Sequence, residues 1–302
     1  MYGTSVVLTM SKPNLVIILS SKSAGSSALQ RYLTENYDFR TANQFAHQES
    51  ETLFWSKAAS VLGLPQDSMI RSVVPYSAEE ARQALQNIAK VYDLSAHHSD
   101  LVRKVDFFEL FYRMVEYEGP RFVEKSPHHL YNTSNLHLLK KCLDYLSDRV
   151  DILIIGLVRD PMATVYSAWS RWRYNCKSFE NEWVQSYENP LQFQSQVQNM
   201  LLVRYEDVVA DATRLDDRIA KFLGVNDKTG LFSFHTRSIE KWKNDPSFGH
   251  DLSEGARHLA KQLGYDEGTL RNPHAPLLWS VSELYYRLRY LHVDLRRRLK
   301  GR

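Results

Sequence analysis

Two stretches of the sequence carry residue types suited to holding anions. The first is Lys22-Ser23-Ala24-Gly25-Ser26-Ser27-Ala28, which joins small residues to hydroxyls and one lysine. Small residues let backbone N–H groups approach an anion, and a helix opening at that point adds the positive end of its dipole. Ser26 and Ser27 add hydroxyl donors, and Lys22 adds a mobile positive charge. The pattern GxxxxGK[ST] is absent, so this is not the loop of the nucleoside triphosphatases. Taken alone, the stretch also reads as an ordinary Ser/Gly turn beside a surface lysine. The second stretch is Arg159-Asp160-Pro161, with Ser167 eight residues after the arginine. A guanidinium suits a phosphate dianion because its fork donates paired hydrogen bonds. Ser167 lies two helical turns further on and can donate from the same side. The competing readings are an Arg159–Asp160 ion pair and a helix serine bonded back to its own backbone.

The flanking sequence defines the elements that must position these groups. Asn14 to Ser20 (NLVIILS) is a nearly continuous apolar run, followed by the small-residue stretch and then by helical spacing at Leu29 and Leu33. Buried strand, loop, helix is the first half of a βαβ unit. Asp151 to Val158 (DILIIGLV) is the strongest strand signal and runs into Arg159-Asp160-Pro161 and a helix, since proline is well tolerated in a first helical turn. Shorter strands are expected at 121–124 and 201–204. Helices are expected over 48–63, 78–92, 101–117, 135–147 and 214–223. Residues 175–200 and 225–276 carry the least pattern. Strands separated by helices imply a parallel sheet covered on both faces. No linker divides the chain, so one α/β domain is expected over 14–302, with 1–13 read as a leader or a mis-called start. The stretch 281–299 spaces Val281, Leu284, Leu288, Leu291, Leu295 and Leu299 as an amphipathic helix, expected to pack on the domain with a solvated basic face.

These stretches resemble the sulfotransferases that use 3′-phosphoadenosine-5′-phosphosulfate (PAPS), and the resemblance covers most of residues 14–245. KSAGSSAL from Lys22 is similar to that family's 5′-phosphosulfate loop. RDPMATVYS, with its Arg159-to-Ser167 offset, is similar to the family's 3′-phosphate motif. LVRYEDV from Leu202, followed by Phe222-Leu223-Gly224, resembles its YED-to-FLG stretch, and Glu124-Lys125-Ser126-Pro127 resembles a segment of its carbohydrate-type branch. Ala24 makes the gap from Lys22 to Gly25 one residue longer than the commonest pattern, which bears on the placement of Lys22. The resemblance implies a P-loop-like α/β fold with a central parallel sheet flanked by helices, PAPS as donor and Tyr205 as an adenine contact, though Tyr205 also reads as a core tyrosine. It implies in-line transfer of a sulfuryl group to a hydroxyl or amine of a small-molecule or glycan acceptor, with Lys22 neutralising charge on the bridging oxygen. It also places a glutamate just ahead of a pair of aromatics, two residues intervening, which fits Glu51 ahead of Phe54-Trp55 as the general base, with burial raising its pKa. The alternative for Glu51 is a solvated helix carboxylate, and Glu49, His47 and His128 are the other candidate bases. Lys125 would orient acceptor or leaving group, or be a lysine on a surface turn. Lys241-Trp242-Lys243 would help close the nucleotide site.

The remaining features narrow the function classes. The net charge is +3, yet Arg296, Arg297, Arg298, Lys300 and Arg302 fall within the last seven residues, and the rest of the chain stands at −2 without them. A near-neutral body argues against a nucleic-acid footprint. Cys142 and Cys176 are too few for a disulfide framework, and with no secretion signal the chain reads as cytoplasmic. No apolar run is long enough for a membrane span. His97-His98 and His128-His129 are adjacent pairs without the i, i+4 spacing of helix-borne metal ligands, so no metal is expected. A homo-oligomer is compatible with this reading. Two competing hypotheses remain: a PAP- or PAPS-binding interaction protein without transfer activity, using the 281–299 helix as its contact, and a phosphate-transferring P-loop enzyme. The presence of Lys22, Arg159, Ser167 and a candidate base together weighs against the first. The absent Lys-[Ser/Thr] and metal carboxylate weigh against the second.

Overall fold

Strand β1 (Asn14–Ser20) is buried on both faces, which explains its unbroken apolar run. In the computed structural model of the protein, residues 12–42, 50–70, 72–92, 101, 103–225, 228–236 and 239–299 are described. Successive strand side chains point to opposite faces. Leu15, Ile17 and Leu19 therefore enter one hydrophobic core, while Val16 and Ile18 enter the other. β2 (Arg121–Lys125), β3 (Asp151–Val158) and β4 (Met200–Arg204) complete a parallel sheet in the order β2-β1-β3-β4.

Helix α1 (Ser26–Tyr37) packs on the Val16/Ile18 face with two helices that follow β4, α9 (Tyr205–Ala210) and α10 (Thr213–Leu223). The other face is thicker. It carries α2 (Phe54–Val61), α3 (Ala78–Val91), α4 (Lys104–Glu118), α6 (Thr133–Leu146), α7 (Pro161–Trp172), α8 (Cys176–Gln194) and α11 (Glu254–Gln262). The one-turn α5 (His128–Tyr131) follows β2, and α12 (Trp279–Leu299) is the last helix. The result is a single α/β domain with its parallel sheet flanked by helices, as the strand–helix alternation predicts. Cys142 and Cys176 are buried free thiols.

Three local expectations change. The helix expected over 48–63 begins only at Phe54, because Ser50 and Leu53 take left-handed φ values of 58° and 49° and break the run. Residues 43–49, which include His47 and Glu49, lie outside the described residues, as do residues 1–11 of the expected leader and His97-His98. The poorly patterned stretch 175–200 is largely the 19-residue helix α8. Its buried Phe179, Trp183 and Tyr187 recur every fourth residue, a helical period diluted in sequence by Asn, Gln and Pro190. Finally, α12 does not lay its apolar side on the domain: Val281, Leu284 and Leu288 are exposed.

Candidate active site

The sheet order brings three strand ends side by side. The chain leaves β1 toward β2 on one side and later returns to β3 on the other, so β1 is the point where the winding reverses. In open α/β sheets the ligand crevice forms there, beyond the carboxyl ends of the strands. Ile18 pairs with Lys125 of β2, and Ser20 pairs with Leu157 of β3. The loop after β1 therefore sits between Lys125 on one side and Arg159 on the other.

That loop is held in shape by its backbone and by α8. Ser23 and Gly25 have φ values of 61° and 94°, so the chain turns twice through left-handed conformations before α1 begins. A Cβ on Gly25 would fall 2.6 Å from Cδ2 of Tyr205, so glycine is required there by conformation and by space. Ala24, the extra residue, is buried. With α1 starting at Ser26, the Ser26 and Ser27 N–H groups stand at the positive end of the helix, while Ala28 N donates to the Gly25 carbonyl at 3.0 Å. The Tyr187 hydroxyl accepts from Ser21 N (3.2 Å) and donates to the Leu157 carbonyl (2.8 Å), tying the loop to β3. Lys22 points at α8: its Nζ lies 3.0 Å from Glu182 Oε1 and donates to the Ile70 carbonyl at 2.7 Å. Burial pushes the Glu182 carboxyl up, and Lys22 opposes that shift.

On the β2 side the loop meets a buried ion pair. Lys125 is fully buried rather than on a surface turn. Its Nζ donates to Glu51 Oε1 at 2.9 Å and to Ser27 Oγ at 3.3 Å. Glu51 lies in the irregular segment ahead of α2, not on a helix, and His128 Nδ1 is 3.8 Å from its Oε2. Three sequence candidates, Ser27, Glu51 and Lys125, thus share one corner. Beneath them lies a second polar group. Glu124 Oε1 accepts from Thr52 Oγ1 and Ser126 Oγ, both at 2.7 Å, and His129 Nδ1 is 3.4 Å from its Oε2. The Trp55 backbone N–H donates to His129 Nε2 at 3.4 Å, which leaves Nδ1 facing Glu124. Burial alone would raise the Glu124 carboxyl, but His129 and the two hydroxyls hold it below the usual carboxylate range. Lys57 of α2 donates to the Thr52 carbonyl at 2.5 Å, and burial lowers its pKa to about 8.

On the β3 side, Arg159 Nη1 donates to the Ser23 carbonyl at 2.8 Å, and its Cζ stands 4.9 Å over the Tyr205 ring. The Asp160 carboxylate caps α7 by accepting from Ala163 N at 2.8 Å. Glu206, of the YED stretch, accepts from Asp160 N and from the Tyr265 hydroxyl. Ser167 is half-buried on α7. Next to the arginine, Ala28, Tyr205, Phe232, Phe234, Thr236 and Lys241 line a cavity of about 710 Å³. Lys241 is the member of the Lys241-Trp242-Lys243 trio on this cavity. Trp242 is core, and Lys243 pairs with Glu240. A second cavity, of about 530 Å³, is lined by polar groups including Ser27, Gln30, Arg31, Arg40 and Ser50. Among the described residues no cluster of three or more His, Cys, Asp or Glu could hold a metal ion.

A model of the sulfotransferase family matches residues 13–229 of the chain. The chain belongs to the sulfotransferase family. Two solved structures share its fold. The sulfotransferase domain from the curacin biosynthetic pathway aligns at TM-score 0.54 and 19% identity over 84% of this chain and 98% of that one. The sulfotransferase domain of the Synechococcus PCC 7002 olefin synthase aligns at TM-score 0.51 and 20% identity over 85% of this chain and 97% of that one. No curated protein matches the chain.

In this sulfotransferase the predicted residues fall into two groups about the β1 loop: Glu51 and Lys125 on one side, Arg159 and Tyr205 on the other. Sequence reasoning missed the residues that hold the loop between them. Glu182, Trp183 and Tyr187 come from α8, and Trp183 Nε1 donates to the Arg159 carbonyl at 3.2 Å. The aromatic spacing within 179–187 was the signal that could have found them. Glu124 and Glu206 sit inside the EKSP and YED stretches, but nothing local marks Glu124 as buried or either as an acceptor for distant groups.

Proposed function

We propose that this sulfotransferase moves a sulfuryl group from PAPS to a hydroxyl or amine of a small-molecule or carbohydrate acceptor. The observation that carries the reading is the contact of Lys125 with both Ser27 of the anion loop and the Glu51 carboxylate. It joins a proton acceptor to the place where the transferred group would be held. The residues present fit a nucleotide with two phosphate groups. Gly25 lets the loop turn through a left-handed conformation tight against the Tyr205 ring, and the loop amides with Ser26 and Ser27 suit the 5′ anion. Arg159 and Ser167 suit a 3′-phosphate, and Tyr205, Phe232 and Phe234 offer aromatic walls to a base.

When bound, the donor supplies an activated sulfuryl group whose bridging oxygen departs with the 5′-phosphate. Glu51 takes the proton of the acceptor O–H or N–H as the new bond to sulfur forms. Lys125 holds the Glu51 carboxylate in place and presents positive charge beside Ser27. Lys22 exchanges Glu182 for the donor's growing negative charge. The polar cavity beside Ser27 and Ser50 is the proposed seat of the acceptor. Calorimetry with 3′-phosphoadenosine-5′-phosphate (PAP) and AMP tests the donor site. Loss of one set of charge-assisted contacts should weaken AMP by on the order of 1.5–3 kcal/mol. Equal affinity for the two would remove the 3′-phosphate assignment from Arg159 and Ser167.

A further inference from the structure

Helix α12 leaves the domain with one side unpartnered. Its first turns dock: Trp279 packs at 5.6 Å on Trp169 and 5.5 Å on Phe248. Glu283 Oε2 accepts from Asn175 Nδ2 at 2.9 Å and from Cys176 N at 3.2 Å. These contacts set the rotation of the helix. Glu283 faces the body, and Leu288, five residues on, lies about 140° around the axis from it. Val281, Leu284, Tyr285, Leu288 and Leu291 are between 55% and 64% exposed. Their spacing of three and four residues makes a continuous apolar stripe directed away from the domain.

Charge selects what covers it. Arg287 and Arg289 are exposed and lie about 100° to either side of Leu288, so each edge of the stripe carries a guanidinium. The sequence then adds Arg296, Arg297, Arg298, Lys300 and Arg302. The acidic residues of the helix are Glu283, engaged by the body, and Asp294. A second copy of this helix laid on the stripe would set arginine edges against arginine edges, without the opposite charges that flank helix pairs. An anionic lipid surface matches the pattern. Leucines and tyrosine enter the acyl boundary, while arginines at the edges extend to the headgroups. No helix among the described residues is long and apolar enough to cross a membrane, so the contact is peripheral.

We propose that α12 binds the domain to an anionic lipid bilayer through its Leu284–Leu288 stripe. The test is flotation of the full chain with phosphatidylcholine vesicles, with and without phosphatidylglycerol. Binding is expected only with the anionic lipid, reduced by added salt. Leu284→Glu with Leu288→Glu should abolish it. Arg287→Gln and Arg289→Gln should each lower partitioning about fivefold, the effect of one basic residue near an anionic surface. All four side chains are exposed, so an unchanged melting temperature is expected and verifies the fold. Equal binding to neutral vesicles, or undiminished binding by the double glutamate variant, would overturn the proposal. So would a wild-type dimer that ignores both vesicle types and dissociates on Leu288→Glu, which would assign the stripe to a second copy.

Discussion

At the scale of single residues the decisive pair is Glu51 and Lys125. A carboxylate and an ammonium 2.9 Å apart in a buried corner hold each other in place. An ionised carboxylate is what a base needs at the moment the acceptor gives up its proton. Glu51→Gln preserves the shape and a hydrogen bond to Lys125 but cannot accept a proton at neutral pH. Turnover should fall roughly 10²–10⁴-fold, the usual scale for general acid–base catalysis. PAP affinity should hardly change, because the loop and Arg159 are untouched. Steady-state rates on the variant, with calorimetry beside them, check this. Wild-type turnover would move the base elsewhere, with His128, whose Nδ1 is 3.8 Å from Glu51 Oε2, the next residue to change.

At the scale of elements, α8 governs the site without lining it with acceptor chemistry. It sends Glu182 to Lys22, Trp183 to the Arg159 carbonyl and Tyr187 to both Ser21 and Leu157. One helix thereby joins the loop after β1 to the end of β3, the two pieces assigned to the two phosphates. Tyr187→Phe keeps the ring in the core and removes only the hydroxyl. The Ser21 N–H and the Leu157 carbonyl then lose a buried partner, at a cost of about 1–3 kcal/mol. The expected result is a lower denaturation midpoint together with weaker PAP binding. A variant less stable but with unaltered PAP affinity would show that α8 supports the core and not the loop.

At the scale of the whole molecule, the carboxyls of Asp160 and Glu180 give stability opposite dependences on pH. Burial pushes Asp160 up to about 7, with Glu206 adding to the shift. The folded protein therefore holds a proton there that the unfolded chain releases near pH 4, and stability declines as pH rises from about 4 to about 7. Burial alone would also raise Glu180, but hydrogen bonds from His250 and Ser253 hold it down at about 2. Its contribution is complete above the ordinary carboxylate range and is lost as pH falls toward 2. Chemical denaturation across this range should show a maximum on the acid side of neutrality. Asp160→Asn keeps the cap on α7 and should flatten the decline between pH 5 and 7, gaining on the wild type at pH 8 relative to pH 5. An unchanged slope would exclude Asp160 as its source.

The strands around the site were legible because burial on both faces leaves its mark locally: NLVIILS and DILIIGLV can be little else, and the loop and the Arg159 motif follow directly from their ends. The anion-binding residue types were legible for the same reason, since glycine, serine and arginine advertise their chemistry wherever they stand. What the sequence did not determine is which charged side chains turn inward. Lys125 and Glu51 are 74 positions apart, and each looks like a solvated residue until the segment ahead of α2 comes to lie against the end of β2 and places one beside the other. The same holds for Glu182, whose partner Lys22 lies across the sheet edge, and for α12, whose apolar side local spacing alone would assign to the core. Periodicity records that a side is apolar. Whether the domain, a membrane or another chain covers it depends on the direction in which the helix leaves its last contact, and here the tertiary contacts of Trp279 and Glu283 set that direction.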